Sequence, residues 1–324
     1  MTVLEAIQKS TGFLGKKNVE SPRLQAELLL AHLLKMPRMK LYLNFERVLT
    51  TAETDALREL VKRRGQREPL QHITGSTSFC GFEIAVSGQA LVPRPETELL
   101  AELGWKFLNQ LSEGRVPQVP NQTDGDSWNS SLRALDFGTG TGCIAIALAA
   151  KCPNANIAAL DISTDALALA KANAARNQVA ERIEFLLGDG FAALQSEGRV
   201  PRVPDSNSEI KIGDSWNSSL RKWGFDLIVS NPPYIPSAEI ATLDPEVRDF
   251  DPRLALDGGT DGLDFYRRLA AEAKPFLKPD GKIMLEFGDG QADAIKRVFE
   301  NEKWIVEAVK EDYSQRARIL IARR

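Results

Sequence analysis

At 324 residues the chain has room for two domains and a sizeable core. Its 43% hydrophobic and 26% charged residues are ordinary for a globular protein, and no apolar run approaches the roughly 20 residues a membrane-crossing helix needs. The formal net charge of −3 counts against a nucleic-acid binder, which carries a basic excess to neutralise phosphates.

The N-terminal run "MTVLEAIQKSTGFLGKK" places apolar residues at helical spacing, which is neither a signal peptide nor an anchor, so a cytoplasmic protein is expected. Ser21 followed by Pro22 reads as an N-cap with proline at the first helical position, and Leu24, Leu28, Leu29 and His32 fall on one helical stripe. His32 on that stripe is expected to pack rather than to ligate or catalyse. Thr50 and Glu53 form a capping box that opens a helix through Val61. The basic run Lys62-Arg63-Arg64 that follows is expected to be a solvated helix end, its cations near the negative dipole terminus, with a local RNA-contacting patch as the alternative. Residues 1–70 thus form a small helical domain.

From Gln71 to Val92 the pattern turns to Thr, Phe, Ile and Gly, with "FCGFEIAV" and a Ser-Gly turn, and predicts a β-hairpin linker over 71–94. Pro95 opens a new helix with Glu96 and Glu98 at its positive end. After Arg133 strands and helices alternate: "ALDF", "CIAIALAAK", "IAALD", "DALALAKANAARN", "IEFLLGD", "FDLIVS", "FYRRLAAEAK", "KIMLEFG", "ADAIKRVF", "WIVEAV" and "RILIA". Near-continuously apolar strands in such units predict a parallel sheet covered on both faces, with the last two strands as a hairpin at one edge, so residues 95–324 form an α/β domain.

One feature interrupts this rhythm. "SEGRVPQVPNQTDGDSWNSSLR" at 112–133 recurs almost verbatim at 196–221. The copies precede different strands, so the fold does not dictate both, and polar surface insertions are expected, since doubling a loop's length costs only about 0.6 kcal/mol. A duplicated binding element anchored by Trp128 and Trp216 is the sharper alternative.

The chemistry gathers where strands end. "LDFGTGTGC" places Gly138, Gly140 and Gly142, with Thr139 and Thr141 between them, between the first sheet strand and a helix, where glycine lets a ligand approach the backbone. Asp161 closes the next strand, in the position of a carboxylate that takes both hydroxyls of a ribose. The spacing GxGxG is that of S-adenosylmethionine sites. Asp189-Gly190-Phe191 ends the strand after that, offering a carboxylate to an adenine amino group and a ring to its face.

"SNPPYIP" at 230–236 ends the apolar strand "FDLIV". The prolines hold Asn231 and Pro232 extended and donate no hydrogen bond. That leaves the Asn231 side-chain oxygen and the Pro232 carbonyl as a rigid row of acceptors suited to a planar NH₂ group, with Tyr234 as a stacking face. Such acceptors orient a delocalised amide nitrogen and stabilise the positive charge that develops as it attacks a methyl group. Three scattered cysteines, Cys80, Cys143 and Cys152, and two histidines offer no zinc or disulfide pattern, so no metal is expected.

Taken with "REPLQHITG" at 67–75, "FEIAVSGQALVPRPETELL" at 82–100, "DPRLALDGGTDGLDFYRRL" at 251–269 and "LEFGDGQ" at 285–291, these motifs resemble the peptide chain release factor glutamine methyltransferases, the PrmC or HemK family. The resemblance implies a Rossmann-like class I methyltransferase sheet behind a helical substrate-docking domain. The implied activity is S-adenosylmethionine-dependent methylation of the glutamine in the Gly-Gly-Gln motif of class I release factors, by a monomer. Cofactor contacts then fall to Gly138 through Gly142, Asp161, Asp189, Gly190, Phe191 and Asn231. The substrate glutamine falls to Asn231, Pro232, Pro233 and Tyr234, of which Asn231, Pro232 and Tyr234 carry the catalytic roles. A relative has tryptophan where Gly190 stands, which passes the adenine contact to Phe191. A ribosomal-protein glutamine methyltransferase shares every one of these motifs. A nucleic-acid amine methyltransferase fits the acidic charge less well, and a non-catalytic binding module would not need "NPPY" beside a complete glycine turn.

Overall fold

The computed structural model describes residues 1–113, 132–195 and 224–324. Most of both repeats, with Trp128 and Trp216, lies outside the described residues; Ser112 and Glu113 end a helix, and Leu132 and Arg133 begin a strand. The chain forms two compact units, one of Met1–Thr77, Val86–Gly88 and Ala241–Asp251, the other of Ser78–Ala85, Gln89–Ile240 and Pro252–Arg324.

The first unit is helical: α1 (Val3–Lys16), α2 (Pro22–Leu33), α3 (Arg38–Leu41), α4 (Thr51–Gly65) and α5 (Leu70–Thr74), with a short helix Pro245–Arg248. Its core includes Ile7, Leu14, Leu29, Leu30, Leu57 and Val61. Capping boxes open α1 at Thr2 with Glu5 and α4 at Thr50 with Glu53, the second as the sequence predicts, and α4 runs past Val61 to Gly65. Two expectations change on α2. Ser21 adopts φ 47° and makes no side-chain cap bond, so Pro22 alone marks the start. The buried face is Ala26, Leu29 and Leu30, leaving Leu24 and His32 exposed. A helix with leucines at 24, 28, 29, 30 and 33 offers more than one apolar stripe, and the packing partners choose between them. The basic run also departs from a solvated end, because Arg64 is buried and its guanidinium donates to Gln25 and to Glu246.

The hairpin is short: β1 (Ser76–Phe79) and β2 (Phe82–Ala85) turn through Cys80 and Gly81, both at positive φ. Then follow α6 (Pro95–Glu113), β3 (Leu132–Phe137), α7 (Cys143–Lys151), β4 (Ala155–Asp161), α8 (Thr164–Arg176), β5 (Ile183–Leu187), α9 (Ala192–Gln195), β6 (Phe225–Ser230), α10 (Asp264–Glu272), β7 (Leu277–Glu286), α11 (Ala292–Asn301), β8 (Ile305–Glu311) and β9 (Ala317–Arg323). The seven-stranded sheet runs β5-β4-β3-β6-β7-β9-β8. Strands β3 to β7 are parallel and β9 lies antiparallel between β7 and β8, so the terminal hairpin closes one edge as expected. Every residue of β3 and β6 is buried, as a sheet covered on both faces requires. The order reverses between β3 and β6, and there the carboxyl ends of parallel strands open a crevice for ligands.

Candidate active site

Between β3 and α7 the three glycines take φ of 74°, 55° and 81° at positions 138, 140 and 142, a region costly for residues with a Cβ. They do different jobs. A Cβ on Gly138 would meet nothing within 4 Å and one on Gly140 only Ala90, whereas one on Gly142 would lie 2.9 Å from the Ala170 Cβ of α8. The first two keep a face of the loop open and the third allows close helix packing. Thr139 and Thr141 have buried side chains, and the Thr139 hydroxyl donates to Asp136 at 2.6 Å, so these threonines brace the loop from within. Asp136, fully buried, also accepts from the Ala145 N–H, and burial pushes its carboxyl up to about 7 in spite of both bonds. Its Oδ1 has no partner among the described residues.

Asp161 ends β4 held by two backbone N–H groups, Gly140 onto Oδ2 at 2.8 Å and Ser163 onto Oδ1 at 2.9 Å. Each oxygen retains a lone pair for a further donor. Ile162 beside it is 51% exposed, an apolar surface at the strand end that no motif marks. At the end of β5, Asp189 is paired with Arg268 of α10, and a Cβ on Gly190 would fall 2.3 Å from that guanidinium. The expectation for Phe191 does not hold. Its ring is 1% exposed, between Phe137 at 5.0 Å and Phe276 at 4.8 Å, and belongs to the core rather than to a face open to a base. An aromatic residue after a strand end carries no mark in the sequence of which way it turns.

Asn231 through Tyr234 leave β6, whose last residue Ser230 donates its hydroxyl to the Phe137 carbonyl at 2.6 Å. Two glycine-bearing loops hold this segment. In one, the Ile235 N–H donates to Leu256 and the Gly258 N–H to Ile235. A Cβ on Gly258 would lie 2.9 Å from the Pro233 carbonyl, and one on Gly262 2.3 Å from that of Tyr234. In the other, Gln291 donates to the Tyr234 carbonyl at 2.9 Å and accepts from the Gly288 N–H at 2.9 Å. Gly288 faces the Tyr234 ring, where a Cβ would lie 2.9 Å from it. Motifs far apart in the chain are thus braces for one rigid turn. Burial raises the Tyr234 hydroxyl above its ordinary value, with Glu286 adding to the effect.

Thr97 and Glu286 went unremarked as individual residues in the sequence. Both are buried, and Asn231 Nδ2 donates to the Thr97 hydroxyl at 3.1 Å. An acid set inside the otherwise apolar run "IMLEF" is the available signal for Glu286. Among the described residues there is no cluster of side chains suited to a metal ion and no helix long and apolar enough to cross a membrane.

Comparison with known proteins places the chain in a family. A methyltransferase domain model matches residues 129–320, and the PrmC N-terminal domain model matches residues 5–75. With the order of the sheet, these matches make the chain a class I methyltransferase. The release factor glutamine methyltransferase of Geobacter sulfurreducens is 38% identical over 92% of this chain and 88% of its own. That of Chlorobaculum tepidum is 38% identical over 90% and 87%, and that of Rhodospirillum rubrum 39% over 94% and 80%. A solved Pyrococcus furiosus methyltransferase is similar at 19% identity and a TM-score of 0.45, over 81% of this chain and 97% of that one. The chain belongs to the release factor glutamine methyltransferase family.

Proposed function

We propose that the enzyme methylates the side-chain amide nitrogen of the glutamine in the Gly-Gly-Gln motif of class I peptide chain release factors, using S-adenosylmethionine. The observation that carries this reading is the braced Asn231-to-Tyr234 turn at the edge of β6, next to β3 and its open glycine loop. The relatives' names support the release factor as partner. No nucleic-acid substrate is required.

The chain's groups fit the cofactor. Gly138 and Gly140 leave room for backbone approach, Asp161 is anchored with lone pairs to spare for ribose hydroxyls, and Asp136 keeps a buried oxygen without a partner beneath the loop. When bound, the sulfonium supplies an electrophilic methyl group. Everything else falls to the protein. Asn231 Oδ1 and the Pro232 carbonyl accept the two hydrogens of the substrate amide, fix its nitrogen in line, and stabilise the charge it gains. Pro233 stiffens the turn, and the Tyr234 ring gives the amide plane a wall. Asp189, tied to Arg268, is left with Gly190 to border the adenine end, without the Phe191 ring.

Incubation with methyl-labelled S-adenosylmethionine and, in parallel, a class I release factor, ribosomal proteins and ribosomal RNA tests the reading. Label is expected on the release factor. Label confined to a ribosomal protein or to RNA would reassign the substrate.

A further inference from the structure

We propose that Thr97 and Glu286 form a positioning pair that fixes which way the Asn231 carboxamide faces. The proposal rests on the reading of Asn231 as acceptor for the substrate amide. Strands β6 and β7 are parallel with Ser230 opposite Leu285, so Asn231 and Glu286 leave adjacent strands side by side. Helix α6 packs closely on the sheet at Gly104, where a Cβ would lie 3.3 Å from Leu227, and its first turn brings Thr97 between them. Thr97 is 3% and Glu286 2% exposed.

The direction follows from counting protons. A threonine hydroxyl has one hydrogen, and an ionised carboxylate only accepts. Thr97 hydrogen-bonds the Glu286 carboxylate, so its proton is committed there and its oxygen is left as an acceptor. Asn231 must then turn Nδ2 toward Thr97, the 3.1 Å bond observed. Its Oδ1 faces the other way, toward the methyl acceptor. A protonated Glu286 reverses the chain: the acid donates to Thr97, Thr97 donates to Asn231 Oδ1, and Nδ2 meets the substrate NH₂ donor to donor. Asparagine has no other means of distinguishing its two ends here than its partners.

Glu286 is placed to switch. Burial raises its carboxyl to about 7, with the Thr97 bond, Arg318 of β9 and Arg94 pulling down and Glu96 pushing up. Tyr234 feels the same charge, and the Tyr266 hydroxyl donates to the Glu286 backbone carbonyl at 2.8 Å. Glu286 Oε2 has no partner among the described residues, and Thr97 is the hydrogen-bonding link between this acid and Asn231.

The test has two arms. In the substrate-free protein, the side-chain amide resonances of Asn231 are expected to move with pH through about 7 and to stop doing so in Glu286→Gln. In turnover, Thr97→Val and Glu286→Gln are expected to lower kcat roughly 10- to 100-fold with a smaller change in KM, the size of loss found when the outer partner that orients a metal-binding side chain is removed. Thr97→Ser recovers most of the Thr97→Val loss, and the wild-type rise of kcat through neutral pH disappears in Glu286→Gln. Asn231 resonances insensitive to pH in the wild type, or both variants turning over with wild-type rate and pH profile, overturn the pair. The resonance arm needs no methyl acceptor. A wild-type protein that leaves release factor unmethylated therefore overturns the functional reading alone, and the resonances still decide the pair.

Discussion

At the amino edge of the large sheet Asp226 accepts from Lys278 at 2.6 Å and from the Arg133 backbone N–H at 2.8 Å, whereas at the carboxyl edge Asp136 and Glu286 each keep an oxygen without a partner among the described residues. Glu184, near the amino end of β5, stands between the two cases: burial raises it to about 7 while Arg133 pulls it down. The amino edge pairs Asp226 internally and leaves only Glu184 Oε2 without a partner among its described carboxylates, and the strands entering there, β3 and β6, are the neighbours that follow the two repeats. The carboxyl edge is stripped to glycine turns, stiff prolines and under-bonded acids, groups that cost stability and are retained where a ligand will complete them. Stability and chemistry are thus assigned to opposite ends of the same strands.

Substitutions at the two ends should therefore separate. Asn231→Ala is expected to lower single-turnover methylation on the order of 10²–10³-fold with little change in melting temperature, the cost of removing one preorganised polar contact. A wild-type rate in that variant would remove Asn231 from the mechanism. Lys278→Met at the amino edge should do the reverse, destabilising by about 1–3 kcal/mol because it takes a partner from buried Asp226, while activity per folded molecule holds. Urea melts beside rate measurements distinguish the two patterns, and a rate loss in Lys278→Met without a stability loss would break the comparison.

The raised acids also set a pH response. Asp136, Glu184 and Glu286 all have folded-state values near 7, above those of an unfolded chain, so the fold binds more protons than the unfolded state between about 4.5 and 7. Their stabilising contribution is complete below the ordinary carboxyl range and is lost as pH rises through about 7. Melting temperature should fall from pH 5 to pH 8 without cofactor, and a flat profile would mean these acids are not buried as described. The smallest effect is expected from excising both insertions and joining their flanks with short linkers: activity should persist, and its loss in a folded variant would favour a binding role for the repeats.

Much of the carboxyl edge was legible because glycine and proline act on their own backbone. The turn at Gly138 to Gly142, the strand-ending Asp161 and the extended Asn231-Pro232-Pro233 need no knowledge of their neighbours. What escaped depends on packing. Leu24 and Leu29 look alike until α1 and α4 choose a face of α2, and Phe191 could have turned toward ligand or core. The bond from Asn231 to Thr97 spans 134 residues and exists only because α6 lies on β6 and β7. The packing of 241–251 with the helical unit, through Glu246 to Arg64 and Arg67, likewise had no local sign.

The most direct test of the account is to incubate a class I release factor with the enzyme and S-adenosylmethionine and map methylation on its peptides by mass spectrometry. The account predicts one methyl group on the side-chain nitrogen of the Gly-Gly-Gln glutamine, absent from the reaction with Asn231→Ala. A methyl group on any other residue, or an unmodified release factor in the presence of active, cofactor-binding enzyme, would contradict it.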